Sequence, residues 1–91
     1  MNYPKADAII LAVAFATGIS FGAIKSRDKF RSIARARRIA MAAVRRRLAM
    51  SYPEIGMVFG RDHTTVMYAV KCVIGCEHES ALLDSILETM A

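Results

Sequence analysis

Ninety-one residues with 13 Lys and Arg against 8 Asp and Glu, a net charge of +5, make one small basic domain, residues 1–91. That length cannot hold a nucleotide-binding ATPase, and no G-x-x-x-x-G-K-S/T loop occurs, so a nucleotide cofactor is not expected. The apolar run Ile9 to Ala16 is far short of the ~20 residues needed to cross a bilayer, so no membrane partner is expected either.

Every segment reads as helix, and no stretch alternates with period two for long enough to predict a strand. The first helix runs from about Ala6 to Thr17 and ends at Gly18, a natural left-handed terminator. It supplies apolar residues the core needs, which argues against a cleaved leader despite Lys5 ahead of the apolar run. Ser20 can cap a short helix, Phe21 to Lys25, and the loop Ser26 to Arg31 that follows is dense in positive charge. Ser32 then opens a long helix, Ile33 to about Ala49, whose inward stripe is Ile33, Ala36, Ala40, Val44 and Leu48.

Ser51-Tyr52-Pro53-Glu54 is a helix start with a capping Ser, Pro in the first turn and Glu three residues after the cap. Ile55, Val58 and Phe59 face inward, and Gly60 closes the helix. Asp62 can cap the next helix, about His63 to Ile74, through its carboxylate, leaving His63, Thr64 and Thr65 projecting from the first turn. Val66, Val70 and Val73 give that helix its core-facing spacing. Residues of about 51–75 thus form a helix-turn-helix, in which the first turn of the second helix meets base edges. A last, acidic helix covers about 77–90, with Leu82, Leu83, Ile86 and Leu87 on one face.

Charge is segregated along the chain. Ten of the thirteen cations lie between Lys25 and Arg47 with the single acid Asp28, whereas the last fifteen residues hold four acids and no Lys or Arg. That asymmetry predicts a side facing a polyanion and a remote acidic side. Cys72 and Cys76 lack the spacing of a zinc site; on a continuous helix they share a face and read as buried free thiols, suited to a reducing cytoplasm. His63 beside Asp62 is no catalytic dyad, because neighbours at a helix start are not expected to face each other and no nucleophile accompanies them. No enzyme activity is expected.

The string Ser51-Tyr52-Pro53-Glu54-Ile55-Gly56, followed by Phe59-Gly60-Arg61-Asp62-His63-Thr64-Thr65-Val66, resembles the C-terminal DNA-binding domain of the bacterial replication initiator DnaA. The pattern of that family reads S-L-P-E-I-G-x-x-F-G-G-R-D-H-T-T-V-x-H-A. Upstream, Ala36-Arg37-Arg38-Ile39-Ala40-Met41 is similar to its A-R-Q-I-A-M, and the likeness extends over about Ala6 to Ile74. It implies an all-α domain of five or six helices, Trp repressor-like, with a helix-turn-helix.

Carried over by position, the resemblance implies that Asp62, His63 and Thr64 read bases in the major groove, that Thr65 contacts a phosphate, and that Arg61 belongs to the same interface. The chemistry agrees, since a carboxylate accepts from the cytosine amino group and a Thr methyl packs on the thymine methyl. Lys29 and Arg31 of the basic loop would enter an A·T-rich minor groove, whose negative potential favours cations. Arg37, Arg38 and Arg45 would sit on phosphates, helped by the backbone around Tyr52 and Pro53 at a helix N-terminus. Three departures stand out: one of two glycines before Arg61 is missing, Arg38 replaces Gln, and Tyr68 replaces His.

The function implied is sequence-specific binding of double-stranded DNA at a DnaA-box-like site, in replication initiation or its regulation, without nucleotide and without duplex opening. A start at Met1 points to a stand-alone binder rather than an excised domain. The alternative is an adaptor that meets the replication initiator itself and has only non-specific DNA affinity.

Overall fold

The computed structural model describes residues 3–90 as six helices and, among those residues, no strand. They are α1 Tyr3–Thr17, α2 Phe21–Lys25, α3 Arg31–Leu48, α4 Tyr52–Phe59, α5 His63–Ile74 and α6 Glu77–Thr89. α3 is the axis, and each of the other five packs against it. Ala36, Ile39, Ala40, Met41, Ala42, Ala43 and Val44 of α3 are all buried. The small alanines let neighbours approach on several sides, so burial runs round the helix instead of along one stripe. Near its ends Leu48 is partly buried and packs against the core, as expected, whereas Ile33 is only half-buried.

Around this axis α1 contributes Ile9, Ile10 and Val13, α4 contributes Ile55, Val58 and Phe59, and α5 contributes Val66, Val70 and Val73, all buried in one cluster. Each such side chain stabilises the fold by about 1.5–3 kcal/mol relative to exposure. The α4–α5 pair is therefore held by the same apolar positions that the sequence spacing marks.

Local chemistry sets the helix ends. Ser20 Oγ accepts the Ala23 amide at 3.2 Å and starts α2. α3 begins at Arg31 with Phe30 as N-cap, two residues ahead of the expected start at Ile33. Asp28 Oδ1 accepts the Phe30 amide at 2.9 Å and Ser26 Oγ accepts the Asp28 amide at 3.1 Å, so the loop turns into the helix before Ser32 is reached. α1 likewise starts at Tyr3, ahead of Ala6, with Pro4 tolerated in its first turn.

Between α4 and α5 the chain reverses within three residues. Gly60 adopts φ 67°, and the Arg61 amide donates to Gly56 O at 2.8 Å, so one glycine closes the turn. Gly56 must also lack a side chain, because a methyl there would lie 2.4 Å from the Arg61 carbonyl oxygen.

After Gly75 the acidic α6 folds back onto α3, which corrects the expectation of a remote acidic side. Glu79 Oε2 lies 3.5 Å from Arg35 Nε and 3.3 Å from Arg38 Nη2. Asp84 pairs with Arg46, and Arg47 donates to Leu87 O at 3.4 Å and Met90 O at 3.2 Å. The cysteine expectation is corrected too. Gly75 ends α5 and Cys76 is the N-cap of α6, so the two thiols do not share one continuous helix; both are free and half-buried.

Candidate nucleic-acid interface

The first helix of the helix-turn-helix is pinned by a reciprocal cap. Ser51 Oγ accepts the Glu54 amide at 3.2 Å while Glu54 Oε1 accepts the Ser51 amide at 3.0 Å. The Ser51 backbone amide, and then its hydroxyl, hold the Glu54 carboxyl below its ordinary range. This contribution to stability is present at neutral pH and is lost as pH falls through that lowered value. Pro53, exposed beside them, has no amide to donate, so Tyr52 supplies the N-terminal N–H that the cap leaves over.

The second helix presents Asp62, His63, Thr64 and Thr65 as an unbroken exposed string, directly before buried Val66. Asp62 is the N-cap residue, but its carboxylate makes no capping bond to the backbone, contrary to expectation. Oδ2 instead accepts the Thr64 hydroxyl at 2.6 Å, and Oδ1 lies 3.3 Å from His63 Nδ1. The Thr64 hydroxyl first, and the neighbouring His63 next, keep the Asp62 carboxyl below its usual range, so it stays an acceptor at neutral pH. Asp62 and His63 therefore do meet, against the expectation that they would not. The hydroxyl is bonded to the carboxylate and not to the imidazole, an arrangement that does not activate a nucleophile.

The expected phosphate-binding arginines separate into different fates. Arg37 is 6% exposed, with Nε 2.7 Å from Ile24 O and Nη2 3.1 Å from Ala23 O. Burial, and then the charge of Arg61, lower its pKa from the ordinary value. It satisfies the C-terminal carbonyls of α2 from a buried position, whereas the expectation placed it on a phosphate. Arg61 is turned inward as well: Nη1 donates to Phe59 O at 2.8 Å and Nη2 to Ser26 O at 2.7 Å. It braces the turn against the basic loop rather than offering its guanidinium to solvent. Arg45 donates to Met50 O at 2.7 Å and stacks over Tyr52, 4.4 Å from the ring centre, under the start of α4. Arg38 is shared with Glu79 and lines a groove between α3 and α5 with Arg61, Thr65 and Tyr68.

Lys29 and Arg31 are exposed and make no ion pair among the described residues. Arg27, in the same loop, is equally exposed and was not singled out from the sequence, although its place beside Lys29 carries the same signal. Tyr68, 71% exposed, stands one turn beyond Thr64 and Thr65, with Lys71 exposed a further turn along. The Arg61 bridge to Ser26 ties this loop to the turn that aims α5.

Residues 6–73 match the family described as bacterial dnaA protein helix-turn-helix. The chain belongs to that family. Its all-helical fold and its helix-turn-helix are those of the DnaA C-terminal DNA-binding domain. The chromosomal replication initiator protein DnaA of Picosynechococcus sp. is 46% identical over 68 residues, 72% of this chain and 15% of that protein. DnaA of Francisella tularensis subsp. novicida is 47% identical over 70 residues, 76% of this chain and 14% of that protein. DnaA of Mycobacteroides abscessus is 52% identical over 52 residues, 57% of this chain and 11% of that protein. The chain thus spans between 11% and 15% of the length of these DnaA relatives. Among the described residues, no helix is long and apolar enough to cross a membrane.

Proposed function

We infer that the chain binds double-stranded DNA at a DnaA-box-like sequence, with the first turn of α5 in the major groove and the Ser26–Arg31 loop in the adjacent minor groove. The observation that carries this is the exposed string Asp62 to Thr65, opening a helix whose next residue, Val66, is buried. Such a string has a rigid base and a free polar edge, which direct readout requires. Asp62 accepts from a cytosine amino group, His63 and Thr64 meet neighbouring base edges, and Thr65 takes a phosphate. Lys29 and Arg31, with Arg27 beside them, follow the minor groove, while Arg45 and the Tyr52 amide serve the backbone. Occupying such a site, the chain acts in replication initiation or its regulation.

The surviving cations predict the salt response. Arg37, Arg46, Arg47 and Arg61 are engaged inside the fold, and four cations are assigned to phosphates: Arg27, Lys29 and Arg31, which make no ion pair among the described residues, and Arg45, whose bond to Met50 O uses only Nη1. The logarithm of affinity then falls against the logarithm of salt with a slope of about −3.6, at roughly 0.9 for each phosphate neutralised. Titration of a box-containing and a scrambled duplex at several salt concentrations tests the proposal. A preference of about a hundredfold or more for the box, kept across salt, is the expected result. Equal affinities with the same slope would turn the chain into an adaptor with non-specific DNA affinity.

The loop has its own test. Replacing Lys29 and Arg31 together with Ala is expected to weaken binding most where the flanking minor groove is A·T-rich, and least beside G·C pairs. An even loss across flanks would leave the loop a supply of charge only.

A further inference from the structure

α3 carries seven arginines, Arg31, Arg35, Arg37, Arg38, Arg45, Arg46 and Arg47, yet only Arg31 has no partner among the described residues. α6 alone engages four of them. Its principal contact is Glu79, which is 8% exposed and holds Arg38 at 3.3 Å and Arg35 at 3.5 Å on the same carboxylate oxygen. Glu79 lies beyond residues 6–73, the segment matched to the DnaA family.

Arg35 and Arg38 face different surroundings. Arg35 lines a cleft with Thr17, His78 and Leu82, away from α5. Arg38 lines the groove beside Thr65 and Tyr68, on the exposed side of the recognition helix. Glu79 holds Arg38 through Nη2 alone, and the Arg38 side chain is 36% exposed, so the end of the guanidinium stays within reach of solvent. A guanidinium so placed forms charge-assisted bonds to a phosphate once its carboxylate is removed.

We propose that Glu79 sets the sequence-independent part of DNA affinity: it withholds Arg38 from the DNA backbone and so limits that affinity. Phosphate contacts add affinity to every duplex alike, whereas base contacts add it only to the right one. One phosphate contact fewer therefore lowers affinity for box and non-box DNA by about the same factor, so the chain leaves competing sites sooner while its preference for the box is kept. Asp84 provides the comparison. It carries the same charge on the same helix, but both it and its partner Arg46 are about half exposed, and neither lines the α5 groove.

Resting on the duplex binding proposed above, the test measures box and scrambled duplexes with the full chain and its Glu79→Gln, Asp84→Asn, Arg38→Ala and Glu79→Gln/Arg38→Ala variants. Glu79→Gln is expected to tighten scrambled-duplex binding about three- to tenfold at low salt and to steepen the salt slope by about 0.9, one phosphate's worth. Asp84→Asn, with the same change in net charge, should leave the slope unchanged, and Arg38→Ala in the Glu79→Gln background should abolish the gain. A loss of affinity in Glu79→Gln with melting unchanged would mean that Glu79 supports Arg38 on DNA, and would overturn the proposal. Equal gains in Glu79→Gln and Asp84→Asn would overturn it too, leaving only overall charge. Should Glu79→Gln fail to fold, Arg38→Ala alone decides: a change in scrambled-duplex affinity under twofold supports withholding, and a larger loss contradicts it. Specific binding by the parent chain with an unmoved slope in Glu79→Gln rejects this role alone, whereas no duplex binding by the parent rejects the DNA reading itself.

Discussion

Replacing Arg37 with Ala is expected to destabilise the fold by about 2–4 kcal/mol, because the buried Ile24 carbonyl and the part-buried Ala23 carbonyl lose a charged donor and a cavity opens beside α2. Arg37 is the side chain that closes α2 onto α3 through Ile24 O and Ala23 O. α2 has only five residues and little stability of its own, so the Ser26–Arg31 loop that follows it should loosen as well. Urea unfolding reads the stability, and Arg31→Ala serves as the comparison, since Arg31 is exposed and its loss should cost no more than about 0.5 kcal/mol. DNA affinity should fall in Arg37→Ala by way of the loop, and the loss should shrink at temperatures where the variant is fully folded. Unchanged stability with a lower salt slope would return Arg37 to the phosphates.

At the recognition turn the pattern reverses, with large effects on binding and small ones on stability. His63→Ala and Thr64→Ala are each expected to cost about 1–3 kcal/mol on the cognate duplex, and little on scrambled DNA. Thr64 carries two separable features. Its methyl can meet a thymine methyl, and its hydroxyl holds the Asp62 carboxylate at 2.6 Å. Thr64→Val keeps the first and removes the second. It should leave thymine preference at that position intact while weakening discrimination at the base read by Asp62. Equal loss on cognate and scrambled DNA in all three variants would assign these residues to structure or to phosphates.

The helices were legible because their boundaries rest on local chemistry. Ser20, the Ser51–Glu54 box and Gly60 each act within a few residues, and the apolar spacing of α4 and α5 marks the faces that meet. The exceptions have local causes as well. The start of α3 at Arg31 goes with Asp28 catching the Phe30 amide, a turn two residues ahead of the one that Ser32 would cap. Asp62 bonds Thr64 instead of capping the backbone because a hydroxyl two residues on offers it a shorter closure.

The fates of the arginines were not legible. Arg37, Arg38, Arg46, Arg47 and Arg61 all look alike in a basic sequence, since guanidinium on a long stem suits a phosphate, a carboxylate or a helix-end carbonyl. Which of these each one meets is decided by residues far along the chain: Ile24 for Arg37, Ser26 for Arg61, Glu79 for Arg38. The acidic C-terminal segment was read as remote for the same reason. Charge segregation along the chain gives no hint that α6 returns to pair with α3, and only the reversal at Gly75 brings them together.

Selection of bound DNA from a randomised duplex library tests whether the first turn of α5 reads sequence. Parent chain and His63→Ala should be selected in parallel at a salt concentration where non-specific binding is weak. The parent is expected to enrich one short motif flanked by A·T pairs, and His63→Ala to lose preference at one or two positions inside it while keeping the flank. Enrichment of no motif by the parent, or the same motif at undiminished strength from His63→Ala, would contradict base reading by that turn.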